Sequence, residues 1–519
     1  MNFQYKWDFR PVRPLHIISL LLAGLALMSC RPTDSAEPVA TITISATVTI
    51  TPSTEPSATA NMPQSPIPAT NTPAPAASRP PEATATPLPT TTAIPSPTPE
   101  LALLTPIESV PAGQPFPLTH NLLFIAGGAL KFWDPASGQV DTLLASRGQL
   151  VVSDWQASAE QQHLVIAMTG LNDGPGFALY HWQRNDGQLT FLHEEPERYL
   201  AALAIAADGQ SIGYIDGDAS WREDGASQAI NVIRTADGQP LWQQPCANQR
   251  KLGSTNTFTY FAYCFSLTAA PAGNWVWADI EGVWRGGPGE TATQLVSNVF
   301  YDDELPLLHR PTNQWSPDGQ YLLLQVSRFE GSWPQLLNLA DGSLRDLPNH
   351  VLDLGLSSRW QWLPGNILFA LHPPVLEDDQ RLATAEWWAV TEQSFVELAS
   401  LALNLGELWF ASDPAAATDG HLAVALNHDQ PDLPATRQIL LFGAGDSAAH
   451  ALVYLPPLSP YDSGLDQQLS WLPDGSGLLY LLPGSENSRQ PFYIPASGAR
   501  LYDLAEILGS DLEQVIWLP

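Results

Sequence analysis

Two short segments of the 519-residue chain contain the residue types of a reactive or a metal-binding loop. Gly209-Gln210-Ser211-Ile212-Gly213 has the letters of a nucleophile elbow, in which a strand and a helix flank an exposed serine. Asp216-Gly217-Asp218-Ala219-Ser220 places oxygen atoms at alternate positions, as calcium loops do. However, Ser211 opens a predicted strand, and Trp221 and Ser227 stand where a calcium loop needs glycine and glutamate. We therefore expect neither a catalytic serine nor a metal in these segments.

The other acidic and histidine residues form no metal or catalytic pattern. Acidic clusters at 301–304 and 377–379 fall on predicted loops, where carboxylates are usually solvated. Four histidines lack the spacing of metal ligands, namely His309, His372, His421 and His428. The sequence thus predicts no metal, no cofactor and no catalytic residue, and it leaves the ligand-binding residues unknown. A pair of carboxylates that cleaves glycosidic bonds cannot be recognised without geometry.

Tryptophan side chains offer another kind of chemistry, because an exposed indole can pack on the apolar face of a sugar. The doublet Trp387-Trp388, together with Trp360 and Trp362, is a candidate for such a surface. The alternative is that these rings pack between strands, and we favour it.

The chain has three cysteines. If Cys30 carries lipid, Cys246 and Cys264 remain as an even pair in an exported domain. They flank residues 247–263, which we interpret as an insertion between repeats. We expect a disulfide between them, with two buried free thiols as the alternative.

The first 30 residues have the architecture of an export signal. Three basic residues precede an apolar run of about 14 residues at 15–28, which is short for a transmembrane helix. The run ends in Leu27-Met28-Ser29-Cys30, which resembles the bacterial lipoprotein signal. This resemblance implies a signal peptide over residues 1–29, lipid on Cys30, and attachment to the extracytoplasmic face of the cell membrane. A plain signal-anchor with an incidental cysteine is the alternative.

Residues 30–117 differ in composition from the rest of the chain. Ser, Thr, Pro and Ala dominate, and such a segment cannot bury enough apolar surface to offset the entropy of ordering. Its prolines favour extended polyproline II structure. We therefore predict a disordered linker over 30–117 and a folded domain over 118–519.

The folded domain is predicted to consist of β-hairpins. The segment Gln314-Trp315-Ser316-Pro317-Asp318-Gly319 returns near the C-terminus as Ser470-Trp471-Leu472-Pro473-Asp474-Gly475. In each copy an aromatic residue ends one strand, the Pro-Asp-Gly turn reverses the chain, and an apolar run begins the next strand. About seven such starts recur at a spacing of roughly 40 to 65 residues, which is the range of propeller blades.

The two ends of this domain complement each other. Val515-Ile516-Trp517-Leu518 matches the opening strand of a repeat and then stops, whereas the first repeat, from Asn121, lacks that strand. We expect the terminal strand to complete the first blade, because a closed ring has no exposed sheet edge. The predicted fold class is therefore all-β, a propeller of about eight four-stranded blades. Seven blades are the alternative, because the repeat around residues 246–300 is irregular.

The Trp-Ser-Pro-Asp-Gly segments resemble the WD-repeat-like β-propeller repeats of TolB-type periplasmic proteins. The resemblance is strong at residues 315–319 and 471–475, whereas Trp362-Leu363-Pro364-Gly365 lacks the aspartate. It implies a propeller that presents its loops and central channel to proteins or saccharides, and it specifies no ligand.

Charge limits the class of partner. The chain has 53 acidic and 22 basic residues and a net charge of −31, which argues against nucleic acid and against docking on anionic lipid through a basic face. Three functions remain. The first is binding or scaffolding of an unknown envelope protein or saccharide by a lipid-anchored propeller. The second is a polysaccharide hydrolase or lyase, and the third is a spacer. We favour the first.

Overall fold

The computed structural model describes residues 104–518, apart from 159, 172–173, 219–226, 248, 253–257, 262–263, 301–306, 329–330, 349–358, 373–381, 405–407, 431–432, 444–445, 447–448, 456–467 and 484–488. The predicted signal peptide, Cys30 and the linker up to residue 103 lie outside the described residues. Within the described part, no helix is both long enough and apolar enough to cross a membrane.

The described chain forms eight sheets, which we call blades 1 to 8, and each has a core of four antiparallel strands, A to D. The four strands follow one another in the chain, except in blade 1, whose strand A comes from the C-terminus. A short strand, β1 (Ile107–Ser109), precedes them. Blade 1 contains β2 (Asn121–Ala126), β3 (Ala129–Asp134) and β4 (Gln139–Leu144), and blade 2 contains β5 (Leu150–Ala157), β6 (His163–Gly170), β7 (Phe177–Gln183) and β8 (Gln188–Glu195). Blade 3 contains β9 (Tyr199–Ile205), β10 (Ser211–Gly217), β11 (Gln228–Arg234) and β12 (Pro240–Pro245), and it is followed by an inserted pair, β13 (Gln249–Leu252) and β14 (Phe258–Phe261). Blade 4 contains β15 (Phe265–Ala269), β16 (Trp275–Asp279), β17 (Gly282–Gly286) and β18 (Thr293–Ser297).

The second half of the domain continues the same pattern. Blade 5 contains β19 (Leu308–Trp315), β20 (Tyr321–Arg328), β21 (Gly331–Asn338) and β22 (Leu344–Asp346), and blade 6 contains β23 (Arg359–Leu363), β24 (Ile367–His372), β25 (Leu382–Val390) and β26 (Phe395–Asn404). Blade 7 contains β27 (Leu408–Ala411), β28 (Ala415–Ala416), β29 (Leu422–Gln430), β30 (Leu433–Phe442) and β31 (His450–Leu455), and blade 8 contains β32 (Gln468–Trp471), β33 (Gly477–Pro483), β34 (Arg489–Pro495) and β35 (Leu501–Asp503). The helix α1 (Ala505–Leu508) and strand β36 (Leu512–Leu518) follow, and β36 is strand A of blade 1. In blade 7, strand A is divided into β27 and β28, and both pair with β29.

The blades form a closed ring. Neighbouring A strands contact each other in the order β5, β9, β15, β19, β23, β28, β32 and β36, and blade 1 contacts blade 2 through β2 and β5. Strand β36 pairs antiparallel with β2, with Phe124 opposite Val515. The prediction of an all-β propeller of eight blades, closed by the C-terminal strand, is confirmed. The alternative of seven blades is wrong.

Local turn chemistry explains why the Pro-Asp-Gly segments reverse the chain. We call the connection between strands A and B the A–B turn. In blade 5, the carboxylate of Asp318 accepts a hydrogen bond from the backbone N–H of Gln320 at 3.0 Å, and Gly319 has a φ of 70°. Both features favour a tight reversal. Equivalent aspartate bonds of 2.9 to 3.1 Å form in three other A–B turns, from Gln210 to Asp208, His421 to Asp419 and Ser476 to Asp474.

The apolar core is divided among the seams between blades. Eight clusters of buried apolar residues occur in the described chain, and each lies between two adjacent blades. Because both faces of a blade are covered, the middle of its B strand is mostly apolar, as in β6, whose residues Leu164–Met168 have no exposed surface. Each blade is therefore stabilised mainly by its two neighbours.

Residues 104–118 pack on the propeller, so the folded part begins before the predicted boundary at residue 118. Strand β1 adds a parallel fifth strand to β35. Phe116 is buried, and its ring contacts Tyr502 and Tyr493 at centroid distances of 5.1 and 5.7 Å. The predicted linker reached too far along the chain because it was drawn from composition. The few apolar residues of this stretch lie among Pro and Gly and do not alternate as in a strand.

The irregular repeat around residues 246–300 contains a complete blade preceded by an insertion. Strands β13 and β14 form a separate two-stranded hairpin. A disulfide joins Cys246 and Cys264 at the base of this hairpin, with their Cα atoms 5.9 Å apart. The buried Gln228 side chain accepts a hydrogen bond from the Cys264 N–H at 2.6 Å and donates one to the Cys264 carbonyl at 3.2 Å. The hairpin is thus tied to blade 3.

Candidate functional site

The nucleophile-elbow letters have a structural explanation. Ser211 is the first residue of strand β10, directly after an A–B turn, and β10 continues as a strand to Gly217. Gly213 lies against the ring of Trp275, where a Cβ atom would come within 2.5 Å of the indole. The glycine is therefore required by packing, and the segment has none of the strand–turn–helix context that exposes a nucleophile.

The calcium-like segment holds blade 3 together. The buried carboxylate of Asp216 accepts hydrogen bonds from Arg198 at 2.6 and 3.1 Å and from Asn231 Nδ2 at 2.9 Å. Residues 219–226 and the acidic clusters at 301–304 and 377–379 lie outside the described residues. Within the described part, no three His, Cys, Asp or Glu side chains gather as metal ligands would.

The tryptophans proposed as a sugar-binding surface are buried. Trp360, Trp362, Trp387 and Trp388 are all less than one tenth exposed, and the first three pack in the seams beside blade 6. The Trp388 indole N–H donates to Glu386 Oε2 at 3.0 Å, and Glu386 lies 3.3 Å from His372 Nε2. The alternative, that these rings pack between strands, is therefore correct.

A pocket of about 330 Å³ lies where the A strands of blades 7, 8, 1 and 2 end. Ten residues line it: Glu160, Gln161, Ala416, Thr418, Ser470, Trp471, Leu472, Pro473, Ile516 and Trp517. Its volume is within the range of small-molecule sites, and its surface is divided about equally between polar and apolar atoms. Because strand β36 supplies Ile516 and Trp517, the pocket exists only when the ring is closed.

Gln161 occupies an unusual position in this pocket. Its N–H donates to the Ser158 carbonyl at 2.8 Å, as the glycine N–H does in the A–B turns of Gly319 and Gly475. Gln161 therefore stands where these turns have glycine, and it has a left-handed φ of 54°. A residue with a Cβ atom in this conformation costs about 1 kcal/mol. Persistent strain of this kind is common at functional sites.

The Gln161 side chain does not offset this strain through its oxygen atom. Its Oε1 atom is buried and accepts no hydrogen bond from any described residue. Asn366, another non-glycine residue with left-handed φ in an A–B turn, differs because its side chain accepts a hydrogen bond from the Asp318 N–H at 3.2 Å. The hydrogen bond from Asp318 therefore offsets the strain at Asn366, whereas the carboxamide oxygen of Gln161 forms no such bond with a described residue.

Four tryptophans occupy equivalent places at the ends of A strands: Trp315, Trp362, Trp471 and Trp517. Trp315 donates to Thr268 Oγ1 at 2.8 Å, and Trp471 donates to the Ala415 carbonyl at 3.0 Å, in each case on the preceding blade. The Nε1 atoms of Trp362 and Trp517 find no partner among the described residues. Of these two, Trp517 lines the pocket, and it is 2% exposed.

The pocket is therefore suited to binding. It presents the indole of Trp471, which a hydrogen bond holds in place, and the polar side chains of Glu160, Ser470 and Thr418. Among its described lining residues, Glu160 is the single ionisable side chain. Sequence reasoning missed this site, although one signal was present: Glu160-Gln161 replaces the Asp-Gly of four other A–B turns.

Structural comparison finds solved proteins that are similar to this chain at TM-scores below 0.5 and with very different sequences. A prolyl endopeptidase has a TM-score of 0.43 and 14% identity over 71% of this chain and 50% of its own. TolB from Acinetobacter baumannii has a TM-score of 0.34 and 11% identity over 78% of this chain and 68% of its own. The periplasmic gluconolactonase of Pseudomonas aeruginosa has a TM-score of 0.41 and 12% identity over 77% and 99%.

These likenesses concern the propeller alone. This chain spans about half the length of the prolyl endopeptidase that it matches. No protein-family model matches the chain. No curated protein sequence matches it either.

Proposed function

We propose that this protein is an extracytoplasmic propeller, attached to the cell membrane by lipid on Cys30, that binds a component of the cell envelope. Binding takes place in the pocket between blades 7, 8, 1 and 2. The observation that carries the proposal is the pocket itself, which four blades form together and which is lined by the strained turn residue Gln161 and the fixed indole of Trp471.

The alternative, a hydrolase or lyase acting on polysaccharide, has less support from this pocket. Such an enzyme needs two carboxylates about 5 to 10 Å apart across the bond that it cleaves. Among the described lining residues, Glu160 is the one carboxylate. We therefore place binding before catalysis.

Photo-cross-linking in cells tests the proposal. A photoreactive amino acid at Thr418, which is exposed on the pocket wall, is expected to capture an envelope component when the full chain is expressed in a bacterium that processes lipoproteins. The same amino acid at Glu397, exposed on the outer strand β26, is the matched control. Equal capture at both positions, or none at residue 418, would contradict binding in the pocket.

A further inference from the structure

The outer strand of blade 6 is an open sheet edge. Strand β26 has ten residues, whereas the outer strands of the other seven blades have three to eight. It is the last strand of its sheet, and no described strand pairs with its outer side. Its single charged residue is Glu397, and the side chains of Val396 and Leu398 are 47% and 50% exposed. After a bulge beside Glu397, residues 399–404 pair with β25 without interruption. A long, apolar edge of this kind invites another strand to pair with it.

The predicted linker already covers the outer edges of two neighbouring blades. In blade 8, β1 pairs with the outer strand β35. In blade 7, the Thr105 N–H donates to the carbonyl of Tyr454 in the outer strand β31 at 3.0 Å, and Thr105 Oγ1 accepts from the Tyr454 N–H at 3.0 Å. Followed from β1 toward the N-terminus, the chain therefore passes from blade 8 to blade 7, and blade 6 is next in the ring.

One segment of the linker has the sequence of a strand. Residues 41–50 alternate Ile, Val or Ala with Thr or Ser and include no charged residue. Ile, Val and Thr favour strands, and a period of two places the apolar side chains on one face. Proline has no N–H to donate to a sheet, and residues 39–51 are the longest run without proline between Cys30 and Leu104. Every other such run in that part of the chain has at most six residues.

The length of the linker favours this segment over any separate molecule as the occupant of the edge. Residues 51–103, 53 in all, join the segment to the first described residue beside blade 7. A flexible chain of that length has an end-to-end distance of roughly 40 Å. The segment is therefore present near blade 6 at a high effective concentration, which a second copy or another protein does not share.

We infer that residues 41–50 pair with β26 and add a fifth strand to blade 6, as β1 adds a fifth strand to blade 8. The apolar face of the added strand, with Ile42, Ile44 and Val48, then covers Val396 and Leu398. This docking depends neither on the pocket nor on the lipid of the proposed function. With lipid on Cys30, docking leaves residues 31–40 alone between the membrane and blade 6, so it would hold that blade toward the membrane.

Photo-cross-linking of the full chain, purified in detergent, identifies the occupant. A photoreactive amino acid at Ser400, exposed on β26, is expected to form cross-links with residues 41–50, as mapped by mass spectrometry of peptides. The same amino acid at Thr142, exposed on the outer strand β4 of blade 1, is the matched control and should form none with that segment. In a mixture of isotopically labelled and unlabelled chains, each cross-linked peptide pair should carry one isotope, because both peptides come from the same chain.

Hydrogen exchange measures the pairing independently. Amides in residues 41–50 should exchange at least about tenfold more slowly than those in 57–62, another run of the linker without proline. Ile44→Pro/Val48→Pro removes two N–H groups and should abolish this difference. Ala58→Pro/Ala60→Pro places the same change in the control run and should leave the protection of residues 41–50 intact.

Three results would overturn the inference: equal exchange in the two runs, protection that persists in Ile44→Pro/Val48→Pro, or equal cross-linking of residues 41–50 from positions 400 and 142. Mixed isotopes in the cross-links from position 400 would also reject it, since a second copy would then occupy the edge of β26.

Discussion

At the scale of single residues, burial controls the charge of two histidines. His309 is 3% exposed, and Asn298 Oδ1 accepts from its backbone N–H at 2.9 Å and lies 3.1 Å from its Nδ1. Burial lowers the pKa of His309 from 6.5 to about 4. Burial also lowers the pKa of His181 to about 4, and His163, 3.0 Å away, adds to the effect.

These lowered pKa values predict a loss of stability in acid. Between pH 6.5 and about 4 the unfolded chain binds protons on both histidines and the folded chain does not, so the free energy of unfolding falls as pH falls. Each tenfold difference in proton affinity between the two states corresponds to about 1.4 kcal/mol. His309→Gln should flatten the dependence of melting temperature on pH in this window. An unchanged slope in the variant would show that His309 titrates normally.

At the scale of secondary structure, β36 has two roles. It supplies strand A of blade 1, and its residues Leu512, Trp517 and Leu518 are at most 4% exposed in the seams beside that blade. It also supplies part of the pocket wall. Because each blade depends on its neighbours for cover, the loss of one strand exposes both seams beside blade 1.

Truncation after Asp511 is therefore expected to abolish cooperative folding. Each large buried side chain that is removed costs about 3 to 5 kcal/mol, and three such losses equal the whole stability of a typical domain. Thermal and urea unfolding measure the effect, and removal of residue 519 alone, which leaves every pair of β36 with β2, is the control. A cooperative transition near that of the wild type in the longer truncation would refute closure by β36.

At the scale of the whole molecule, the first described strand and the pocket lie on different parts of the propeller. The described chain begins at residue 104, and β1 pairs at the outer edge of blade 8. The pocket lies at the ends of the inner A strands.

Replacement of Cys30 tests the anchor. Several acyl chains hold a protein firmly to a membrane, whereas a processed chain without them has no comparable attachment. Cys30→Ala should shift most of the protein from the membrane fraction to the soluble fraction, as measured by centrifugation and immunoblotting. The double variant Cys246→Ser/Cys264→Ser retains Cys30 and should stay with the membrane. Membrane retention of Cys30→Ala would show that another segment anchors the chain.

The sequence by itself determined the blades, because the chemistry that forms them is local. Asp318 bonds to the N–H two residues later, Gly319 takes a conformation that other residues resist, and the apolar run that follows needs two covered faces. The incomplete first repeat and the surplus strand after residue 511 likewise predicted ring closure.

Only the tertiary structure decided where a ligand could bind. Gln161 and Trp517 are far apart in sequence and meet at one pocket because β36 returns to blade 1 beside blade 2. The structure also shows that Trp360, Trp362, Trp387 and Trp388 are buried. Residue type alone does not distinguish a tryptophan between blades from one on the surface. Packing between blades is set by the closed ring, and no local segment of the chain encodes it.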